Sequence, residues 1–321
     1  PIIAQLWVIP IQIFYFNNIS LYSVFANIMS VPILSLISFG GFVSSLIAPI
    51  TPIFVCKLFD IILNPLLTFL VWISDFWGGL PHAACQTTHP SIFQILVYYL
   101  ILLLITALLN KEIREKYSRI LKIAIASFVL ILLVSVIPIK NHNLEIMAFD
   151  VGNADSFLIK TPENKYIMID TAKSGYNGGK SQAEMLILKY MLDRGIKELD
   201  TLIVTHFDND HCGGAVDLMN ELRVKNLYVN SINHPSVAAK EIYETAEIRD
   251  VNLILTENNK TIYNSNGLEL KNFISPESLE IGDNEASILT LLSYKDFSML
   301  FTGDSGIETF NRLKQYLPKN I

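Results

Sequence analysis

From residue 205 to residue 214 the chain reads Thr-His-Phe-Asp-Asn-Asp-His-Cys-Gly-Gly, which puts His206, Asp208, Asp210 and His211 within six positions. Imidazole nitrogen and carboxylate oxygen are the donors that hold zinc, manganese or iron. An apolar, strand-like run (201–204) leads in, and two glycines lead out into a helix-like segment. A tight turn after a strand lets alternate side chains converge on one point, and glycines let the backbone pass close beneath it. Two histidines and two aspartates this dense read as a metal site rather than as a polar surface turn.

The elements that must position these residues begin at about residue 144. Strand-like runs are expected at 144–149, 156–160, 166–169, 201–204, 227–229, 252–255, 268–274, 286–292 and 297–301. Helical spacing appears at 182–192, closed by Arg194-Gly195, and again at about 214–222, between 229 and 252, and at 306–316. Strands in runs with helices between them predict an α/β domain with its helices packed outside the sheets.

The 143 residues before it are of another kind. The chain has 321 residues, a mean hydropathy of +0.40 and only 17% charged residues, which is too apolar for an ordinary soluble enzyme. Residues 1–140 hold seven basic residues against four acids, net +3; the rest holds 17 against 26, net −9. The first part is expected in a membrane and the second outside it. Apolar runs suit a truncated or interfacial helix at 1–16 and spans at 20–48, 54–77, 92–109 and 123–139, the first kinked or broken at Pro32 and Gly40-Gly41. Trp72, Phe76 and Trp77 suit an interfacial belt. Residues 110–122 are read as a charged turn, cytoplasmic by the positive-inside rule, and the chargeless loop 78–91 as outer. The last span, stopped by Pro138 and Lys140, then delivers the α/β domain to the outer face. Asp60 and Asn64 stand four apart inside a span, where a carboxylate is a functional candidate; the plainer reading, an interfacial residue one turn from Lys57, is preferred. The chain opens on Pro1 in mid-hydrophobic sequence and is expected to be a fragment. Cys56, Cys85 and Cys212 form no disulfide framework, and Cys212 is taken as structural.

The pattern His206-x-Asp208-x-Asp210-His211-x-Gly213-Gly214 resembles the metal signature of the metallo-β-lactamase superfamily, in the variant with Asp at the second histidine position. Asp170, after the run 166–169, resembles the aspartate of that family's first motif, and Asp304 in Thr302-Gly303-Asp304 its metal-bridging carboxylate. The stretch from Phe149 and Asp150 to Asp155 resembles the "DVGQGD" signature of ComEC-type DNA-internalisation competence proteins. Residues 26–32 resemble the "aNllavP" stretch of their membrane domain. Asn153, Ala154 and Ala172 depart from these patterns. The family's third-motif histidine is unmatched, with Asp283-Asn284 in its place, and its later "HHGS" element is absent, so the domain is expected to be C-terminally truncated.

The resemblance implies a multi-pass α-helical membrane domain (1–140) in the bacterial cytoplasmic membrane, followed by an α/β metallo-β-lactamase-like domain (144–321) built as an αββα sandwich. It implies divalent metal ions, zinc or manganese, two in the complete domain, and no organic cofactor. His206, Asp208 and Asp304 would hold one ion; Asp210, His211 and Asp304 would serve the other, with Asp210 orienting the attacking water. Asp150, Asp170 and Asn284 would support the site. A bound ion lowers the pKa of water to roughly 7, and two ions about 3.5–4 Å apart can hold both oxygens of a phosphodiester displacement. The implied partners are single-stranded DNA in transit, membrane lipid and other competence proteins. The charge of −9 opposes nucleic acid, since its binders usually show a basic face. Two rivals therefore stand beside a DNA-uptake nuclease: a transport component whose domain only guides DNA, and a membrane-anchored hydrolase of a small ester or phosphodiester. His82, His89, His142 and His234 are isolated and read as loop or interface residues.

Overall fold

A computed structural model describes residues 2–137, 141–175, 179–275 and 282–318. The chain divides into two compact units, Pro1–Ile137 and Pro138–Ile321.

The first unit is helical: α1 (Ile2–Phe16), α2 (Ser23–Ile47), α3 (Ile53–Gly78), α4 (Ile92–Leu109) and α5 (Lys111–Ser135). Four of these helices, α2 to α5, are long and apolar enough to cross a membrane. Two expectations are corrected. Residues 23–47 form one continuous helix with Pro32 and the glycine pair inside it, so the run is not broken there; the lost amide bond is tolerable where neighbouring groups satisfy the freed carbonyl. Residues 111–122 are not a turn but the first half of α5. Asn110 caps that helix by accepting from the amides of Glu112 and Ile113 at 3.0 and 3.2 Å. Its Lys, Arg and Glu residues are strong helix formers, and opposite charges recur four apart (Glu112 with Lys116, Glu115 with Arg119). Within the chargeless loop, β2 (Ala84–Gln86) pairs antiparallel with β1 (Asn18–Ser20), a ribbon too short for periodicity to reveal. Pro138 and Lys140 lie outside the described residues.

The second unit is a sandwich. One sheet has the order β3-β4-β5-β6-β7-β8: Glu145–Ala148, Phe157–Lys160, Tyr166–Ile169, Glu198–Ile203, Arg223–Val229 and Asn252–Leu255. The other, wholly antiparallel, has the order β12-β11-β10-β9: Phe297–Phe301, Leu289–Tyr294, Leu268–Phe273 and Lys260–Ser265. The expected strands are present. The added one, β9, is an edge strand of which only Tyr263 is buried, so its sequence reads as polar. Its partner follows through Asn266-Gly267, both at positive φ, the usual two-residue hairpin turn.

Alternation along the strands accounts for the layering. In β5, Ile167 and Ile169 face the second sheet and pack with Leu270, Ile288 and Phe301. Met168, between them, faces the helices. There it meets α6 (Leu188–Asp193, entered through a π-helical turn, Ala183–Ile187), α8 (Ala215–Glu221) and α9 (Val237–Ile248). Leu313, on α10 (Ile307–Leu313), and Leu317 cover the outer side of the second sheet against Phe273, Leu289 and Leu291. The layers are helix, sheet, sheet, helix.

Candidate metal centre

Parallel strands β5 and β6 place the site. Their register pairs Ile169 with Ile203, so Asp170 and residues 205–206 leave the same edge of the sheet. Asp170, 1% exposed and held at φ +57°, is the fixed point. Its Oδ1 accepts the Thr205 amide at 2.8 Å. Its Oδ2 accepts the Thr205 hydroxyl and His211 Nδ1, each at 2.8 Å. The second sheet closes in from the other side: the Ile288 amide donates to the Thr205 carbonyl at 3.0 Å, and Ser287 Oγ lies 3.2 Å from His206 Nδ1.

These bonds settle which imidazole nitrogen faces the site. With Asp170 accepting at Nδ1, His211 presents Nε2. With the Thr205 hydroxyl (3.1 Å) and Ser287 at its Nδ1, His206 also presents Nε2. His206 Nε2 is buried and has no hydrogen-bond partner among the described residues. A buried nitrogen left bare costs free energy unless something binds it. His206, His211 and Asp304 offer one donor atom each, all within 4.8 Å of one another. Asp304 Oδ1 is 3.2 Å from His211 Nε2, and Asp208 Oδ2 is 3.5 Å from His206 Nε2. A divalent cation fits this donor set: two neutral-capable imidazoles, carboxylates at hand and an unmet nitrogen aimed between them.

The glycines are required by the packing. A Cβ on Gly213 would stand 2.2 Å from the Ser174 amide nitrogen, and one on Gly214 would stand 2.5 Å from the Thr171 carbonyl. Gly303, at φ +51°, lets the chain pass Thr205 and turn Asp304 inward.

The electrostatics favour a cation as well. Burial, then the charge of His211, lowers the pKa of His206, which keeps it in its ligating form. Burial opposes charge on His211, yet the Asp170 hydrogen bond and the charges of Asp170, Asp304 and Asp155 raise it to about 9. A metal would take that proton's place. Burial, with Asp170 and Asp208 adding to it, pushes Cys212 up to about 12, so it stays a thiol behind the site.

Of the expected residues, His206, His211 and Asp304 come together, with Asp208 beside them and Asp170 behind. Asp210 is half-buried on α7 (Asn209–Cys212), and its carboxylate is not among the three clustered donors. Asp150 and Asn284 are both exposed. Asn284 reaches the site through the chain: its carbonyl accepts the Ser287 amide at 3.1 Å.

Sequence reasoning missed Asp155. Its amide donates to the Asp210 carbonyl at 3.2 Å, and its own carbonyl accepts the Ala172 amide at 3.0 Å. Its pKa is raised by burial and by the charges of Asp170, Asp304 and Asp210, against an opposing His211. The sequence signal for it is its place at the end of the run from Phe149 to Asp155, which also contains the exposed Asp150. His234, isolated in sequence, packs between neighbours: its ring stacks on Phe207 at 4.9 Å and its Nε2 meets Asp283 Oδ1 at 3.1 Å.

An αββα sandwich carrying a His/Asp cluster at one sheet edge, in a chain that also holds four membrane-length helices, defines a multi-pass membrane protein with a metal-binding domain. The chain belongs to the metallo-beta-lactamase superfamily, whose model matches residues 149–314, and residues 1–112 match the Competence protein family. It is 25% identical to ComE operon protein 3 of Bacillus subtilis (strain 168) over 94% of this chain and 40% of that protein. It is 29% identical to Recombination protein 2 of Haemophilus influenzae over 65% of this chain and 28% of that one. The chain thus spans less than half the length of either relative. Solved structures similar to it include CmlA, a diiron β-hydroxylase from Streptomyces venezuelae (15% identity, 64% of this chain and 37% of that one, TM-score 0.35). A metallo-β-lactamase from Cronobacter sakazakii is another (15% identity, 48% and 60%, TM-score 0.32).

Proposed function

We propose that the chain takes part in carrying DNA across the bacterial cytoplasmic membrane during natural transformation. In this reading residues 1–140 contribute to the conduit. Residues 144–321 form a metal-dependent phosphodiesterase on the outer face that acts on DNA. The observation that carries it is the joining, in one chain, of a Competence protein segment to a cluster of two oriented imidazoles and a carboxylate.

His206, His211, Asp304 and Asp208 would hold the first zinc or manganese ion, and Asp210 and Asp155 are the carboxylates that would be offered to a second. A divalent ion supplies Lewis acidity toward a phosphoryl oxygen and a water acidic enough to ionise near neutral pH. The chain's own residues do the remainder. Asp170 and Thr205 keep the Nε2 lone pairs aimed inward. Asp210 accepts a proton from the attacking water and orients it. Two imidazoles with several carboxylates make a donor set that suits manganese as well as zinc.

The test is cleavage of single-stranded DNA by the full chain in detergent, with Mn²⁺ or Zn²⁺, beside Asp210→Ala and His206→Ala. Wild type should cleave, Asp210→Ala should be slowed on the order of 10²–10⁴-fold, and His206→Ala should also lose metal. Equal, negligible cleavage by all three would remove the nuclease. A transformation defect that persisted in Asp210→Ala would then leave the domain a DNA guide.

A further inference from the structure

A second concave surface lies at the other end of β5 and β6. Both strands run toward the metal centre: Tyr166 opens β5, and Ile196 precedes β6. These two residues line both of two adjoining cavities, of about 200 and about 280 Å³. Tyr166 stands four residue steps, about 13 Å, along the strand from Asp170, and the inner wall of the first cavity reaches back to Leu158, the cross-strand partner of Met168.

The first cavity is lined by Met147 and Leu158 of β3 and β4, with Tyr190 and Arg194 as another part of its lining. The Arg194 guanidinium carbon sits 3.7 Å from the centroid of the Tyr190 ring. Phe149 meets that ring edge-on at 5.3 Å and fixes it. Arg194 is exposed, and among the described residues no carboxylate lies within ion-pair distance of it. Lys160 lines the same cavity, paired at 2.7 Å with the half-exposed Glu145. Lys165 lines the second cavity, its ammonium 3.9 Å from the Glu163 carboxylate and 5.4 Å from the Tyr263 ring centroid, a long exposed pair that a phosphate can also engage. The acids there, Glu198 and Asp200, are already engaged by Lys225 at 2.6 and 3.5 Å. A domain of net −9 thus keeps cations beside aromatic rings in one concave place.

We propose that this groove holds a segment of single-stranded nucleic acid away from the metal centre. A base stacks on the outer face of the Arg194–Tyr190 pair, over the apolar floor of Met147 and Leu158. Neighbouring phosphates are met by Arg194, Lys160 and Lys165. A Tyr–Arg stack alone is an ordinary helix-surface contact; its place in the wall of a concave, partly apolar site is what suits a base. Guanidinium planes and aromatic rings are the surfaces on which splayed bases stack, and cations beside them track the backbone. Glu145, the half-exposed partner of the mostly buried Lys160, can swing away and leave its place to a phosphate. The proposal rests on the DNA reading above and adds a holding site to it.

The test is fluorescence anisotropy of a labelled oligothymidylate with the full chain in detergent, across a salt series, with metal content measured in parallel. Arg194→Ala should weaken binding on the order of tenfold and lower the magnitude of the salt slope by about 0.7. Arg194→Lys should restore the slope but not the stacking, and Tyr190→Phe should bind like wild type. Metal content should not change in any of them. Wild-type affinity and slope in Arg194→Ala would overturn the groove while leaving the DNA reading intact. No binding by wild type would instead remove both.

Discussion

Asp170 does more than any single ligand to make the cluster a site. It adopts a left-handed backbone conformation that Asp and Asn tolerate better than most residues. One carboxylate there orients His211, fixes the Thr205 hydroxyl beside His206 and anchors the 205 amide. Asp170→Asn keeps the shape and one acceptor but puts an amide where Oδ2 received His211 and Thr205. Metal affinity should fall about 10–100-fold, read by competition with a chromophoric chelator. The melting temperature should fall by several degrees, since buried donors left without acceptors cost about 1–3 kcal/mol. Exposed Asp150, replaced the same way, should leave both unchanged. An Asp170→Asn affinity within twofold of wild type would sink this account. Legibility at this scale followed chemistry: His206, Asp208 and His211 stand together in sequence, and their residue types announce them. Asp155, Thr205 and Ser287 come from three segments, and no local spacing shows that they meet.

Elements were legible where one face or both were apolar. The run 166–169 is apolar throughout because β5 is buried on both faces, and it matched its strand residue for residue. Edge strand β9 and the polar first half of α5 were not, because their stability comes from pairing partners and caps rather than from burial. The β9–β10 hairpin also carries a testable device. Glu163, in the turn between β4 and β5, accepts from Ser265, from Tyr263 at 3.2 Å and from Asn266 at 3.0 Å. The Ser265 hydrogen bond, with smaller help from Tyr263 and Lys165, holds its carboxyl below the usual 4.5. A depressed folded pKa stabilises the folded state fully above 4.5, and that contribution is lost as pH falls through the lower folded value. Amide exchange in residues 264–268, corrected for its intrinsic pH dependence, should therefore show loosening as pH falls through the lowered pKa of Glu163. Glu163→Ala should show the loose hairpin already at pH 7 and no further change. A hairpin equally protected at pH 3 and pH 7 would show that Glu163 does not hold it.

At the scale of the molecule the open matter is which side of the membrane receives the metal domain, and the first unit's geometry bears on it. Pairing of β1 with β2 brings the α1–α2 and α3–α4 junctions to one end of the helices. The Gln94 amide group donates to the Ser135 carbonyl at 3.0 Å, which brings the last turn of α5 to that same end. Residues 17–22 and 79–91, which form this end, contain no Asp, Glu, Lys or Arg. Lys57, Lys111, Arg114, Lys116, Arg119 and Lys122 all belong to the opposite half. Basic residues within about 15–20 positions of a span's end set its orientation, and acids such as Glu112 and Glu115 contribute little. The basic end should therefore be cytoplasmic, and the chain should leave α5 on the outer side. Alkaline phosphatase fused after residue 140 should be active in cells, and a fluorescent protein fused there should stay dark. The reverse pattern would place the metal domain in the cytoplasm and end its proposed role on incoming DNA. Moving the charge should move the domain: replacing the five bases of 111–122 with Gln, and adding lysines to 82–88, should shift the reporters toward the reverse pattern, whereas replacing Glu112 and Glu115 should not.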